Sequence, residues 1–115
     1  MDVPGARSED GNDLNLYECN NTAAQKWTFG SAGGEVRALG KCMDVEAARQ
    51  ADGTPVQLYE CNNTAAQKWT YDPQSQELKA FGKCLDAYGG GSSDGTKLIL
   101  YSCHGRDNQK WRLIA

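Results

Sequence analysis

The stretch LYECNNTAAQKWT occupies residues 16–28 and recurs, letter for letter, at 58–70. The copies lie 42 residues apart, and the same offset carries Asp2 onto Asp44, Gly11 onto Gly53, Cys19 onto Cys61 and Trp27 onto Trp69. A second shift of 42 reaches Asp86, Gly95, Tyr101, Cys103, Gln109 and Trp111, where LYSCHGRDNQKW at 100–111 is a diverged third copy in register. No insertion or deletion is needed to align the three. A fixed period of this length marks a repeat architecture, in which no unit buries its apolar face alone and each closes on its neighbours. A single catalytic pocket rarely needs two identical strands and turns; a structure closed by symmetry does.

Counted back from Ala115, the repeats span 74–115 and 32–73, and the first keeps 1–31. The part without a counterpart is AGGEVRALGKC, Ala32–Cys42, so the chain opens where a GKC would just have ended. Met1 stands in the place of Met43, as an internal methionine used as a start, or a trimmed start, would. The expectation is one domain over 1–115, its first repeat N-terminally incomplete.

At 115 residues the chain can build one core with little to spare. Its net charge is −3, with acidic and basic residues mixed along the chain. No basic stripe is present to neutralise phosphates, so nucleic acid is not an expected partner. The longest apolar run, LILY at 98–101, is far too short to cross a bilayer, so no membrane partner is expected either. MDVPGARSED, at 1–10, lacks the apolar stretch of a signal peptide, and an export signal would lie upstream.

The five cysteines obey the period. Cys42 and Cys61 are 19 apart, as are Cys84 and Cys103, and pairing within repeats leaves Cys19 unpaired. The alternative, Cys19–Cys42 with Cys61–Cys84, leaves Cys103 over instead, and spacing does not choose between the two. With one histidine and no Cys-x-x-Cys pair, no metal is expected, and no other cofactor. A disulfide framework implies an oxidising, extracellular compartment.

Helical periodicity is weak throughout. Segments suited to strands recur instead: LNLYEC, EVRAL, PVQLYEC, KWTY, ELKAF, KLILYSC and KWRLI. Turn formers such as DGT, DPQSQ and CHGRDN separate them. NNTAAQ suits a single helical turn. This pattern is all-β, a barrel or sandwich, and three four-strand units favour a threefold barrel with a hairpin cap. Symmetry would then bring Trp27, Trp69 and Trp111 together as core, with Gln25, Gln67 and Gln109 bracing turn backbone.

GKCMDV…DGTPVQLYECNNTAAQKW and GKCLDAYGGGSSDGTKLILYSCHGRDNQKW resemble the ricin B-type lectins, including the family-13 carbohydrate-binding modules. The shared signature is Cys-x-Asp, Gly-Thr, Leu-Tyr-x-Cys and Gln-x-Trp, repeated threefold. The first copy departs from it, with Asn12 for threonine and no leading cysteine. The resemblance implies a β-trefoil with pseudo-threefold symmetry, non-catalytic, with up to one sugar pocket per repeat.

It also implies roles for residues. An aspartate accepts from two vicinal hydroxyls, an aromatic stacks on the sugar's C–H face, and an asparagine before the Gln-x-Trp glutamine donates to a further hydroxyl. The third repeat keeps this set in Asp86, Ile99, Tyr101, His104, Asn108 and Gln109. The second keeps Asp44, Gln57, Tyr59 and Gln67, with Ala66 for the asparagine and Asn62 for the histidine. The first has Asp2, Asn15, Tyr17, Asn20 and Gln25, with Ala24 for the asparagine and its aspartate near the terminus. An ionised carboxylate is the stronger acceptor for a hydroxyl, and one lost donor costs about 1 kcal/mol. Affinity should therefore fall from third to second to first. The competing role for each aspartate is turn capping beside a strand. Asn20 and Asn62 also open N-x-T sequons.

The implied function is carbohydrate binding, of galactose, xylose or arabinose or of a polysaccharide such as xylan. The implied setting is a targeting module of a secreted glycoside hydrolase. Rival readings are a protein-interaction or protease-inhibitor trefoil, or a partly functional lectin fragment. An open barrel edge beside KWRLI, or Cys19, would offer a route to a dimer.

Overall fold

The structure is a computed structural model and describes residues 1–18, 22–29, 34–91 and 93–111. Among these residues nine strands run in chain order: β1 (Asn12–Asp13), β2 (Thr28–Phe29), β3 (Val36–Ala38), β4 (Lys41–Val45), β5 (Thr54–Tyr59), β6 (Thr70–Asp72), β7 (Glu77–Ala80), β8 (Lys83–Ala87) and β9 (Leu98–Tyr101). Neighbours pair antiparallel in the order β2-β3-β4-β5-β9-β8-β7-β6, and β1 joins β5.

The central ring closes by one hydrogen bond made three times. Gly11 N–H donates to Leu58 O at 2.8 Å, Gly53 to Leu100 at 2.7 Å and Gly95 to Leu16 at 2.7 Å. The third of these joins the last repeat to the first, so the ring is cyclic. Each glycine follows an aspartate and sits at positive φ, between 88° and 93°; there a side chain would strain the backbone. Inward positions alternate with outward ones along each strand. Leu14, Val56 and Leu98, and Met43, Val45, Leu58, Leu85 and Leu100, fill the interior.

Aspartates tie each turn to the next repeat. Asp10 accepts from Glu60 N–H at 2.9 Å and Lys41 Nζ at 2.7 Å. Asp52 accepts from Ser102 N–H at 2.9 Å and lies 2.9 Å from Lys83 Nζ. These lysines hold both carboxyls below the ordinary aspartate range, only partly offset by desolvation.

Several expectations need correction. LNLYEC, from Leu14 onward, forms no extended strand among the described residues: β1 ends just before it at Asp13, and within it only Asn15 makes single bridges, with Asp2 and Lys97. KCMDV and KCLDA, not anticipated as strands, form β4 and β8. Their buried aspartate breaks the usual strand composition. Trp69 is core, whereas Trp27 and Trp111 are only partly buried against it. KWRLI from Arg112 onward, and Cys19, lie outside the described residues. So does the edge expected beside that strand.

Candidate functional site

The aspartates do not cap turns; they sit within the sheet. Asp44 lies in β4 opposite Gln57 of β5, and Asp86 in β8 opposite Ile99 of β9. Directly opposed residues share a face, as do residues two apart on one strand. Tyr59 and Tyr101 therefore fall on the same outer face as the aspartates, beside them.

The Gln-x-Trp motif is a two-point clamp on this aspartate. Each glutamine ends a short 3-10 turn, Ala23–Gln25, Ala65–Gln67 or Asp107–Gln109. Gln67 Nε2 donates to Asp44 Oδ2 and to Glu60 O, both at 2.8 Å, while its Oε1 accepts from Asn62 N–H at 2.9 Å. Gln109 repeats the arrangement with Asp86 Oδ2 at 2.7 Å, Ser102 O at 3.0 Å and His104 N–H at 2.9 Å. Both glutamines are 0% exposed. They stand behind the carboxylate and cannot meet a ligand, although the sequence placed them among the contacting residues. Two residues on, the indole N–H of Trp69 donates to Met43 O, and that of Trp111 to Leu85 O, each at 3.0 Å. Trp27 reaches Met1 O at 3.2 Å. The motif thus fixes both the side chain of the aspartate and the backbone just before it.

The second donor to each carboxylate differs between repeats. Asn108 Nδ2 reaches Asp86 Oδ1 at 3.1 Å, and also Ala87 O at 3.0 Å. In the second repeat Ala66 offers nothing, and Gln57 Nε2 supplies the bond to Asp44 Oδ1, at 3.1 Å, from the neighbouring strand. In the first repeat Asp2 receives Gln25 Nε2 at 3.2 Å. Asn15, one methylene shorter than Gln57, leaves its own buried Oδ1 without a partner. His104 adds a further contact in the third repeat, its Nε2 3.4 Å from Asp86 Oδ2. Its Nδ1 accepts the Arg106 N–H at 3.2 Å, and its ring meets Tyr101 edge-on at 6.1 Å. Burial pushes the Asp44 carboxyl up, against the opposing pull of Gln67 and Gln57.

A cleft opens over each aspartate. The third, about 640 Å³, is lined by Asp86, Ile99, Tyr101, His104 and Asn108, and also by Asp52, Tyr88 and Arg106, which the motif did not flag. The second, about 500 Å³, gathers Asp44, Gln57, Tyr59 and Asn62. The first, about 360 Å³, has Asp2, Asn15 and Tyr17, while Asn20 lies outside the described residues. Tyr88 and Arg106 fall where the repeats disagree, at the positions of Glu46 and Thr64, and that disagreement was the signal available for them. Asn62 Oδ1 accepts from Thr64 N–H at 3.2 Å and Oγ at 2.7 Å, an asparagine-stabilised turn.

Disulfides Cys42–Cys61 and Cys84–Cys103, with Cα–Cα of 5.1 and 5.2 Å, tie the head of each aspartate strand to the segment beyond its tyrosine. Glu35 and Glu77 lie close to these two pairs, but bonded sulfurs are not thiolate ligands. Each cleft can thus present an oriented carboxylate beside an aromatic face. That suits a ligand with paired hydroxyls and an apolar C–H side.

Comparison with known proteins agrees with this geometry. The Ricin-type beta-trefoil lectin domain matches residues 1–112. The seed lectin of Trichosanthes anguina is 54% identical over 43 residues, which are 37% of this chain and 8% of that protein. The designed threefold-symmetric protein ThreeFoil superposes with a TM-score of 0.91 at 33% identity, covering 100% of this chain and 89% of that one. The agglutinin from Abrus precatorius gives 0.86 at 27% identity, over 96% of this chain and 42% of that one. A non-toxic homologue of type II RIPs from Momordica charantia, in complex with α-methyl-D-galactoside, gives 0.80 at 26%, over 96% and 41%. The chain therefore spans under half the length of these natural relatives. It belongs to the ricin-type β-trefoil lectin family, a family of carbohydrate-binding domains.

Proposed function

We propose that this protein is a non-catalytic carbohydrate-binding module whose principal site is the third cleft. The observation that carries the reading is Asp86, 3% exposed and held by Asn108 and Gln109, beside the open face of Tyr101. A sugar ring stacks on Tyr101 and donates hydrogen bonds from two hydroxyls to the Asp86 carboxylate, with His104 as the adjoining wall. The second cleft, with two fixing donors on Asp44 and no histidine, binds more weakly. The first, where Gln25 is the one side-chain donor on Asp2 among the described residues, binds least. The galactoside held by the Momordica relative makes galactose the first ligand to try; xylose, arabinose and xylan follow.

Shallow clefts bind single rings weakly, and affinity for a polymer comes from several clefts engaging together. That suits a targeting module on a secreted glycoside hydrolase, and the disulfides suit an oxidising compartment. Titration of the chain with galactose, lactose and xylobiose, against Asp86→Ala and Asp2→Ala, tests the reading. Saturable binding should largely vanish in Asp86→Ala and persist in Asp2→Ala. Equal losses from both would refute the ranking of sites, and no binding to any saccharide would refute the function.

A further inference from the structure

The three clefts are built on one plan, and two rim positions set the third apart. One rim carries Pro4, then Glu46, then Tyr88; the other carries Thr22, then Thr64, then Arg106. Among the described residues only the third cleft has a second exposed aromatic, Tyr88 at 65%, beyond Tyr101 at 40%. It is also the largest, about 640 Å³ against 500 and 360 Å³.

The charges of this cleft are unevenly satisfied. Asp52 is engaged by Lys83 and Ser102, and Asp86 by Asn108, Gln109 and His104. Asp107, next to Arg106 in sequence, turns toward Lys110 at 3.8 Å. Among the described residues the Arg106 guanidinium pairs with no carboxylate, while its backbone N–H is fixed on His104. The result is a cationic fork on a cleft wall whose carboxylates are held by other donors, Asp52 by Lys83 and Asp86 by the neutral amides of Asn108 and Gln109. A guanidinium in that setting fits a planar or tetrahedral oxyanion through two N–H donors at once. The net charge of −3 opposes anion binding only weakly, because charges beyond about 8 Å are screened at physiological salt.

We infer that the third cleft contains a second subsite, in which Tyr88 stacks the next ring of an oligosaccharide and Arg106 pairs with an anionic substituent on it. The substituent is a carboxylate or a sulfate, which offer Arg106 the same charge and acceptor geometry. The inference rests on Asp86 and Tyr101 being the primary sugar cradle. It makes the third cleft selective for acidic oligosaccharides, and leaves the second, with Glu46 and Thr64 at the same places, neutral in preference.

The test is calorimetric titration of the full chain with matched pairs: lactose against sulfated and sialylated lactose, and xylobiose against its glucuronate-substituted form. The acidic member of a pair should bind up to about fivefold tighter, the upper range for an exposed ion pair. In Arg106→Thr, which installs the residue of the second repeat, this ratio should fall below about twofold, and raised salt should shrink it in the wild type. Tyr88→Ala should narrow the gap between disaccharide and monosaccharide affinities. Equal affinity for neutral and acidic members, or a ratio that survives Arg106→Thr, would overturn the subsite and leave the cradle standing. Neutral sugars failing to bind, or binding indifferently to Asp86→Ala, would overturn the cradle itself.

Discussion

Replacing Gln109 by leucine would separate the clamp from the pocket it serves. Leucine keeps side-chain volume nearly constant, so cavity formation adds little. The change removes three hydrogen bonds: to Asp86 Oδ2 at 2.7 Å, to Ser102 O at 3.0 Å and from His104 N–H at 2.9 Å. A bond to an ionised group contributes about 1.5–3 kcal/mol and each neutral one about 1 kcal/mol, which puts the total loss near 4 kcal/mol. That is a large part of a domain stability of roughly 5–15 kcal/mol. Gln67→Leu, which removes the same three bonds one repeat earlier, is the matched control. Urea unfolding followed by tryptophan fluorescence should show similar drops in midpoint for both variants, at unchanged slope. Only Gln109→Leu should also weaken sugar binding in the third cleft, because only there does Asp86 lose its fixed orientation. Losses below about 1 kcal/mol in both variants would refute the clamp. Full sugar affinity in a destabilised Gln109→Leu would refute its role in holding the carboxylate.

Three further outcomes follow from the same geometry. Asp44, pushed up chiefly by burial, holds its proton more tightly in the native state than in the unfolded chain. Its contribution to stability is therefore full below the ordinary aspartate value and lost as pH rises through the native one. Sugar binding in the second cleft, which needs the ionised form, should be lost on acidification at a higher pH than an ordinary aspartate would give; titration of Asp86→Ala across acid pH reads this directly. Asp52, held low by Lys83, has the opposite sign: its stabilisation is present above the ordinary value and disappears as pH falls through the native one. Asp52→Asn should thus lower the urea midpoint at neutral pH and leave it nearly unchanged in strong acid. Opening the Cys84–Cys103 link by a double serine substitution releases residues 19 apart and should cost about 3 kcal/mol in urea unfolding.

Much of the fold was legible because the repeat is strict. Residues 16–28 and 58–70 are identical, so the same turn and clamp recur in both copies, although their surroundings differ enough to bury Trp69 and leave Trp27 partly exposed. The ring bonds from Gly11, Gly53 and Gly95, which carry the period in the backbone, are that recurrence seen in space. β4 and β8 escaped notice because a buried aspartate is a poor strand former by propensity. It survives there because distant side chains satisfy it, among them Gln67 and Gln109, each 23 residues further along. Tyr88 and Arg106 were equally hard to see: motif matching attends to what the repeats share, and these residues are where they differ.

By itself the sequence determined the period, the threefold closure, the aspartate and tyrosine at each cleft and the glutamine behind them, since all of these depend on register alone. Only the tertiary structure decided what holds each carboxylate. Gln57 reaches Asp44 across a strand pair, from 13 residues away, whereas Asn108 reaches Asp86 from a turn 22 residues away. One-dimensional spacing treats Ala66 as a simple loss, because it does not show that a side chain on the adjacent strand is long enough to arrive at the same oxygen.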